Sequence, residues 1–245
     1  MRGIRRLTAA LLLGAALTAC GGTADTSGAG APHPGHTTDA PHTDAGTASP
    51  RRSTRIAGLG ADWSAKIPAD ARQVVVAYGD GAASATGRVV LYRRQGGLWT
   101  TEASWASHNG RRGWTPRHRE GDTRSPVGVF TIHDAGGVLP DPGAKLPYHQ
   151  DPAFTPPASW GPTHRHDFDY VIAIDYNRVP GSSPLDSRRP QGEQAGGGIW
   201  LHLDPGFGSS ACVTLPRQAM QTLLRTLDPA QHPVVVMGPR AALAV

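Results

Sequence analysis

Two side chains in the stretch from Gly196 to Thr214 could do chemistry together, the imidazole of His202 and the thiol of Cys212. A thiol is nucleophilic only as the thiolate, and a neighbouring histidine commonly generates one near neutral pH. Asp204-Pro205-Gly206 supplies turn residues between them, and Gly208 permits tight backbone geometry. The small residues Ser209, Ser210 and Ala211 leave the backbone before Cys212 accessible, so its N–H groups would face a developing oxyanion. On spacing alone a blander reading stays open. A lone cysteine is often a small buried hydrophobe, and a strand histidine is often a hydrogen-bonded core residue.

The elements that must position this pair follow from periodicity. Ile199, Leu201 and Leu203 alternate with Trp200 and His202, the period-2 pattern of a half-buried strand. Val213 and Leu215 resume an apolar pattern, so the chain is expected to double back and carry Cys212 to His202. Further strands are predicted at residues 73–78, 88–93, 98–101, 127–133, 170–176 and 234–237, with a hairpin across Gln95-Gly96-Gly97. Met220, Leu223, Leu224 and Leu227 recur at helical spacing between Pro216 and Pro229. Strands and helices do not alternate, which argues against a parallel α/β sheet. The expected class is mainly β, a mainly antiparallel sandwich or open barrel with one or two short helices.

The N-terminus changes the weight of Cys212. Arg2, Arg5 and Arg6 precede an apolar run from Leu7 to Leu17, a pattern that reads as an export signal and is too short for an ordinary membrane span. Ending in Leu17-Thr18-Ala19-Cys20, residues 1–20 resemble a bacterial lipoprotein signal, which would leave Cys20 lipid-modified and the domain held outside the cytoplasmic membrane. The chain has two cysteines. With Cys20 lipidated, Cys212 is an unpaired thiol in a compartment where disulfides are usual, and such a thiol is flagged as reactive.

Residues 21–55 are Gly, Ala, Thr, Ser, Asp, Pro and His with almost no large apolar side chain, and are expected to form a disordered tether. His33, His36 and His42 lie within it at irregular spacing and read as solvated linker. The arginines at 51, 52 and 55 suit anionic lipid or wall polymer as well as solvent. The folded domain is then 56–245, long enough to bury a proper core. Of 24 Lys and Arg and 19 Asp and Glu, six Arg and three Asp fall within residues 1–55. The formal charge of +5 therefore shrinks to +2 for the domain, and without a basic stripe interleaved with aromatics, nucleic acid is not an expected partner.

The segment from Gly136 to His166 is rich in Pro, Gly, His and Asp, and a connection that long is usually functional or disordered. Tyr148, His149, Phe154 and Trp160 are candidates to anchor it over a groove. His164 and His166 with Asp167 and Asp169 have some metal-ligand character, but without a third spaced ligand they read better as a loop lip.

Four segments share one resemblance. Gly198-Ile-Trp-Leu-His202 followed by Ser209-Ser-Ala-Cys-Val-Thr214 resembles the active-site signature of YkuD-type L,D-transpeptidases. His118 to Ile132, containing Gly121-Asp122-Thr123-Arg124-Ser125-Pro126-Val127-Gly128-Val129-Phe130, is similar to that family's Gly-Asp-x-x-Thr-Pro-x-Gly-x-Phe segment, with Ser125 where threonine is usual. Tyr170 to Asn177 and the helix–strand unit from Pro216 to Met237 complete an ordered set within 105–239. The resemblance implies a mainly β thiol enzyme acting on peptidoglycan stem peptides, with Cys212 as nucleophile and His202 as base. Backbone N–H groups around Ser209, Ser210 and Ala211 would hold the oxyanion, and no metal or organic cofactor is implied. The implied product is a 3→3 cross-link. Water as acceptor would give a carboxypeptidase or cross-link hydrolase, and a degenerate site would leave a wall-binding lipoprotein. The sequence departs from the family at Ser210, where histidine is usual, at Ala211 for glycine and at Thr214 for arginine.

Overall fold

The computed structural model describes residues 52–245; the leader read at 1–20, its Cys20 and the tether from 21 to 51 lie outside the described residues. The chain runs through β1 (Arg52–Ser53), α1 (Ala61–Ala65), β2 (Gln73–Gly79), β3 (Thr86–Gln95) and β4 (Leu98–His108). It continues through β5 (Trp114–Thr115), β6 (Ser125–Pro126), β7 (Gly128–Thr131), β8 (Ala135–Gly137) and β9 (Tyr148–Gln150). Then come β10 (Val171–Ala173), β11 (Trp200–Leu203), β12 (Val213–Leu215), α2 (Arg217–Thr226), β13 (Val234–Pro239) and α3 (Arg240–Leu243).

β5 and β6 form a separate ribbon. The other strands make one sheet in the order β7-β13-β2-β3-β4-β12-β11-β10-β8-β9, with β1 laid against β4. The molecule is mainly β, as the patterning predicts. The sheet is mixed, however. β13 runs parallel to β2, β11 to β12 and β8 to β9, while the remaining pairs are antiparallel.

Period-2 alternation explains the two cores. β2 and β13 are buried along their whole length, so their side chains divide between opposite faces. Val75, Ala77, Val235 and Met237 join Ile172, Leu201, Leu215 and the apolar face of α2 in one cluster. Val74, Val76, Val234 and Val236 point the other way, onto Ile56, Leu59, Tyr92 and Leu243. α2 starts directly after Pro216 and buries Met220, Leu223 and Leu224, the stripe read from sequence.

Two boundaries differ from the sequence reading. Arg52 and Ser53, assigned to the tether, pair with Thr100 and Trp99, so the ordered domain begins ahead of Ile56. Backbone hydrogen bonds hold them, and these leave no trace in hydropathy. Between β11 and β12 the chain does not fold back as a hairpin. It loops through 204–212 and returns in the same direction, with Leu201 opposite Val213 and His202 opposite Thr214.

That crossover is pinned to the end of β4. Ser209 donates its N–H to the Asn109 carbonyl, and Arg111 donates to the Ser209 carbonyl, each at 2.9 Å or less. Ser125 closes the latch from the other side. Its buried hydroxyl accepts from the Gly110 N–H at 2.9 Å and donates to the Ala211 carbonyl at 2.7 Å. Gly110 must be glycine here, because a Cβ would lie 2.6 Å from the Ser125 backbone nitrogen. Substituting Ser125→Ala leaves a buried donor and a buried acceptor unpaired, a cost of about 1–3 kcal/mol. Denaturant unfolding is expected to show that loss, and a midpoint within error of the wild type would refute the latch.

Candidate active site

Cys212 sits just before β12, beside Trp200 in the β11 register. The Trp200 N–H approaches Sγ at 3.4 Å, and Sγ lies 3.5 Å from the Gly198 carbonyl. The thiol hydrogen is thus directed to a backbone oxygen. Gly198 supplies that oxygen from a positive φ of 63°, a conformation costly for other residues. Asn177 shapes the preceding turn, donating its amide to the carbonyls of Gly192 and Gly196 and accepting from the Gln191 N–H.

His202 lies two residues further along β11, on the same face as Trp200 and opposite Thr214. Its Nδ1 is 2.8 Å from the Leu203 carbonyl, which can only accept, so Nδ1 carries the proton and Nε2 keeps its lone pair. Phe168 packs edge-on to the ring at 4.9 Å. Both His202 and Cys212 line one cleft of about 580 Å³. The structure thus brings together the pair singled out from sequence. Among the described residues, no hydrogen bond joins Sγ to the imidazole.

Burial governs the charge state of both. It pushes the Cys212 thiol up to about 11, against the opposing effect of the Trp200 N–H, which favours thiolate. It lowers His202 to about 4, partly offset by the hydrogen bond to Leu203. At neutral pH the resting pair is therefore a thiol and a neutral imidazole. Burial thus works against the thiolate expected from sequence, and the carboxylate of Asp167 adds to that effect.

The predicted oxyanion segment divides into two roles. The Ser209 N–H is spent on Asn109, but its hydroxyl braces the Cys212 carbonyl at 2.6 Å. Ser209 is thus a support and offers no oxyanion donor. Among the described residues, the N–H groups of Ser210, Ala211 and Cys212 donate to no protein acceptor. Ala211 does not adopt a positive φ, so the alanine is unstrained where the family prefers glycine. Thr214 is buried and donates to Asp204 at 3.0 Å, with the ring of His108 on the other carboxylate oxygen at 2.8 Å. It stiffens the crossover and cannot reach a ligand.

The long loop supplies one wall. Phe154 is its buried anchor and stacks edge-on against Trp200; half-exposed Trp160 forms the rim. Tyr148 ties the loop to itself through the Leu139 carbonyl, and the exposed ring of His149 reaches only Asp151, at 3.7 Å, away from the cleft lining. His164 faces the cleft and is held at 2.7 Å by buried Asp167, while His166 turns outward to Asp169 at 3.1 Å. Burial raises the Asp167 carboxyl, and His164 draws it back down. Sequence reading missed Arg111 altogether. This exposed arginine lines the cleft, and among the described residues no acid neutralises its side chain. Nothing in its sequence setting marks it, because only the fold at the end of β4 brings it opposite Cys212.

The sequence profile of the YkuD family, the L,D-transpeptidase catalytic domain, matches residues 77–236. The chain belongs to that family. Among solved structures it is similar to Bd1075 of Bdellovibrio bacteriovorus, at 14% identity and a TM-score of 0.39, over 68% of this chain and 47% of that one. The chain thus spans about half the length of that protein. No curated protein matches it.

The neutral resting pair has a direct signature. Alkylation of Cys212 by iodoacetamide in the free protein, followed by intact mass, is expected to be slow at pH 7 and to rise about tenfold per pH unit towards pH 10. A rate plateau between pH 5 and 8 would show a preformed thiolate and overturn the assignment.

Proposed function

We propose that this protein is a peptidoglycan L,D-transpeptidase that works through a thioester on Cys212. The observation that carries the reading is the pairing, in one cleft, of a thiol beside backbone N–H groups that, among the described residues, donate to no protein acceptor, with an imidazole whose Nδ1 is held by the Leu203 carbonyl. Sγ attacks the amide carbonyl between the third stem residue, a diamino acid, and D-alanine. Nε2 of His202 takes the thiol proton, and the N–H groups of Ser210, Ala211 and Cys212 hold the oxyanion. Collapse of the tetrahedral intermediate passes that proton to the departing D-alanine amine. An amine on a neighbouring stem then attacks the thioester, loses its proton to His202 and regenerates the thiol, leaving a 3→3 cross-link.

The cleft walls favour an amine acceptor over water. Trp160 and Phe168 offer apolar surface to a stem peptide, and the ring of His164, braced by Asp167, gives an incoming amine a second hydrogen-bond partner. Arg111 takes the place of the missing arginine at 214 as anchor for a stem carboxylate. The leader ending at Cys20 supports export and lipid anchoring, with the domain in the cell-wall space.

The decisive experiment is the intact mass of the protein after incubation with a tetrapeptide-stem muropeptide. A Cys212 adduct followed by dimeric 3→3 product is expected. Adduct and tripeptide without dimer would make it a hydrolase. No adduct on folded protein would sink the enzyme reading and leave a wall-binding lipoprotein. In the same assay Arg111→Gln is expected to raise KM for the donor stem roughly tenfold, the worth of about one charge-assisted hydrogen bond, with kcat little changed.

A further inference from the structure

At the far end of the molecule lies a second concavity that the cross-linking chemistry does not use. It measures about 670 Å³, slightly larger than the catalytic cleft, and is walled by the β3–β4 turn at Gln95–Gly97, by Arg72 ahead of β2 and by the loops after α2. Four cations line it: Arg72, Arg93, Arg94 and Lys145. Asp228 is the one acid in the wall. It meets Lys145 only loosely, at 3.9 Å. Arg93 is held by Glu102 at 2.5 Å, and Arg94 lies 5.7 Å over the Trp99 ring while donating to the Ala69 carbonyl. Exposed Arg72 has no acidic partner among the described residues. An adjoining hollow adds Arg55 and Trp99 and shares Ala69 and Arg94.

The register of β4 fixes where this groove stands. Leu98, at one end of β4, pairs with Gln95 in the groove wall, and Thr100 and Trp99 pair with Arg52 and Ser53 of β1. His108, at the other end, pairs with Thr214, and Asn109 holds the crossover beside Cys212. Eleven residues of strand separate the two ends, roughly 33 Å at about 3.3 Å per step. The chain therefore enters the domain at its basic end, with the catalytic cleft at the opposite end.

We propose that this basic groove docks on the anionic phospholipid surface of the membrane to which the chain is held, pointing the catalytic cleft away from the bilayer. The proposal rests on the export and anchoring reading above. Phospholipid is favoured over a soluble phosphate polymer by position, since 31 residues separate Cys20 from β1 and β1 lies against the groove. Guanidinium groups suit headgroup phosphates through paired N–H donors. Each cation near such a surface contributes about a factor of five in binding, so three together amount to on the order of a hundredfold.

The test is co-sedimentation of the full chain carrying Cys20→Ser, so that no lipid modification contributes, with phosphatidylglycerol vesicles and with phosphatidylcholine vesicles. Binding is expected to the anionic vesicles alone and to weaken steeply as salt rises. The Arg72→Gln/Arg94→Gln/Lys145→Gln variant is expected to lose on the order of a hundredfold, with its melting temperature confirming the fold. A control variant, Arg112→Gln/Arg117→Gln/Arg119→Gln, removes the same charge outside the groove and is expected to bind as the parent does. Equal loss in both variants would reduce the effect to net charge and overturn the groove. Equal binding to neutral vesicles would assign it to the apolar leader and likewise overturn the proposal. Stronger binding to a soluble polyglycerol phosphate than to the vesicles would assign the groove to a polymer and refute the lipid. Because muropeptide adducts are read separately, failure here leaves the thioester reading standing, and the absence of adducts leaves the vesicle result intact.

Discussion

The parallel pairing of β11 with β12 is the constraint on which the site depends. Parallel neighbours cannot be joined by a tight hairpin, so the chain must leave the sheet after Leu203 and return to the same end of it before Val213. The return places Cys212 level with Trp200 and leaves the residues before it arched outside the ladder. An arch of this kind normally loses its backbone hydrogen bonds. Here the losses are selective. Ser209 and the carbonyls of Ala211 and Cys212 are satisfied by Asn109, Ser125 and Ser209 itself, while the N–H groups nearest the sulfur are left open. One topological requirement thus creates both the rigidity of the Cys212 segment and the open donors beside it.

Burial then sets the chemistry. A cysteine and a histidine facing each other in water would share a proton and rest partly as an ion pair. In this cleft, walled by Phe168, Trp160 and Trp200, neither charge is solvated well enough to persist. The backbone fixes what electrostatics does not. Leu203 selects the tautomer with the proton on Nδ1, and Gly198 receives the thiol hydrogen.

Sequence patterning reaches the elements whose side chains alternate. The residues of β2, β11 and β13 and the stripe on α2 were legible because each buries a regular set of apolar side chains. β4 was legible for four residues only, since from Glu102 onward its inward positions are Ala103, Trp105 and Ser107, too few large apolar side chains to mark a strand. β8 and β9 lie in a Gly- and Pro-rich loop and form through backbone pairing alone. In the site, residue types announced Cys212 and His202, while Ser125 stood out only as a serine where the family has threonine. The contacts of Ser125 with Ala211 join residues 86 apart in the chain. No local spacing can encode these, nor the arrival of Arg111 in the cleft. The parallel return before β12 was invisible for a related reason, because hydropathy carries no strand direction.

The protonated resting state of Cys212 has a consequence outside catalysis. Peroxides, disulfides and most thiol-directed toxins attack sulfur as the anion, at a rate that tracks the anionic fraction. With the thiol pushed up to about 11, that fraction at neutral pH is on the order of one in ten thousand. On the proposed mechanism, a thiol that gives up its proton only as it bonds to a bound carbonyl is spared most of that damage during the intervals between turnovers. Chemical durability and slow intrinsic reactivity are, in this cleft, one property.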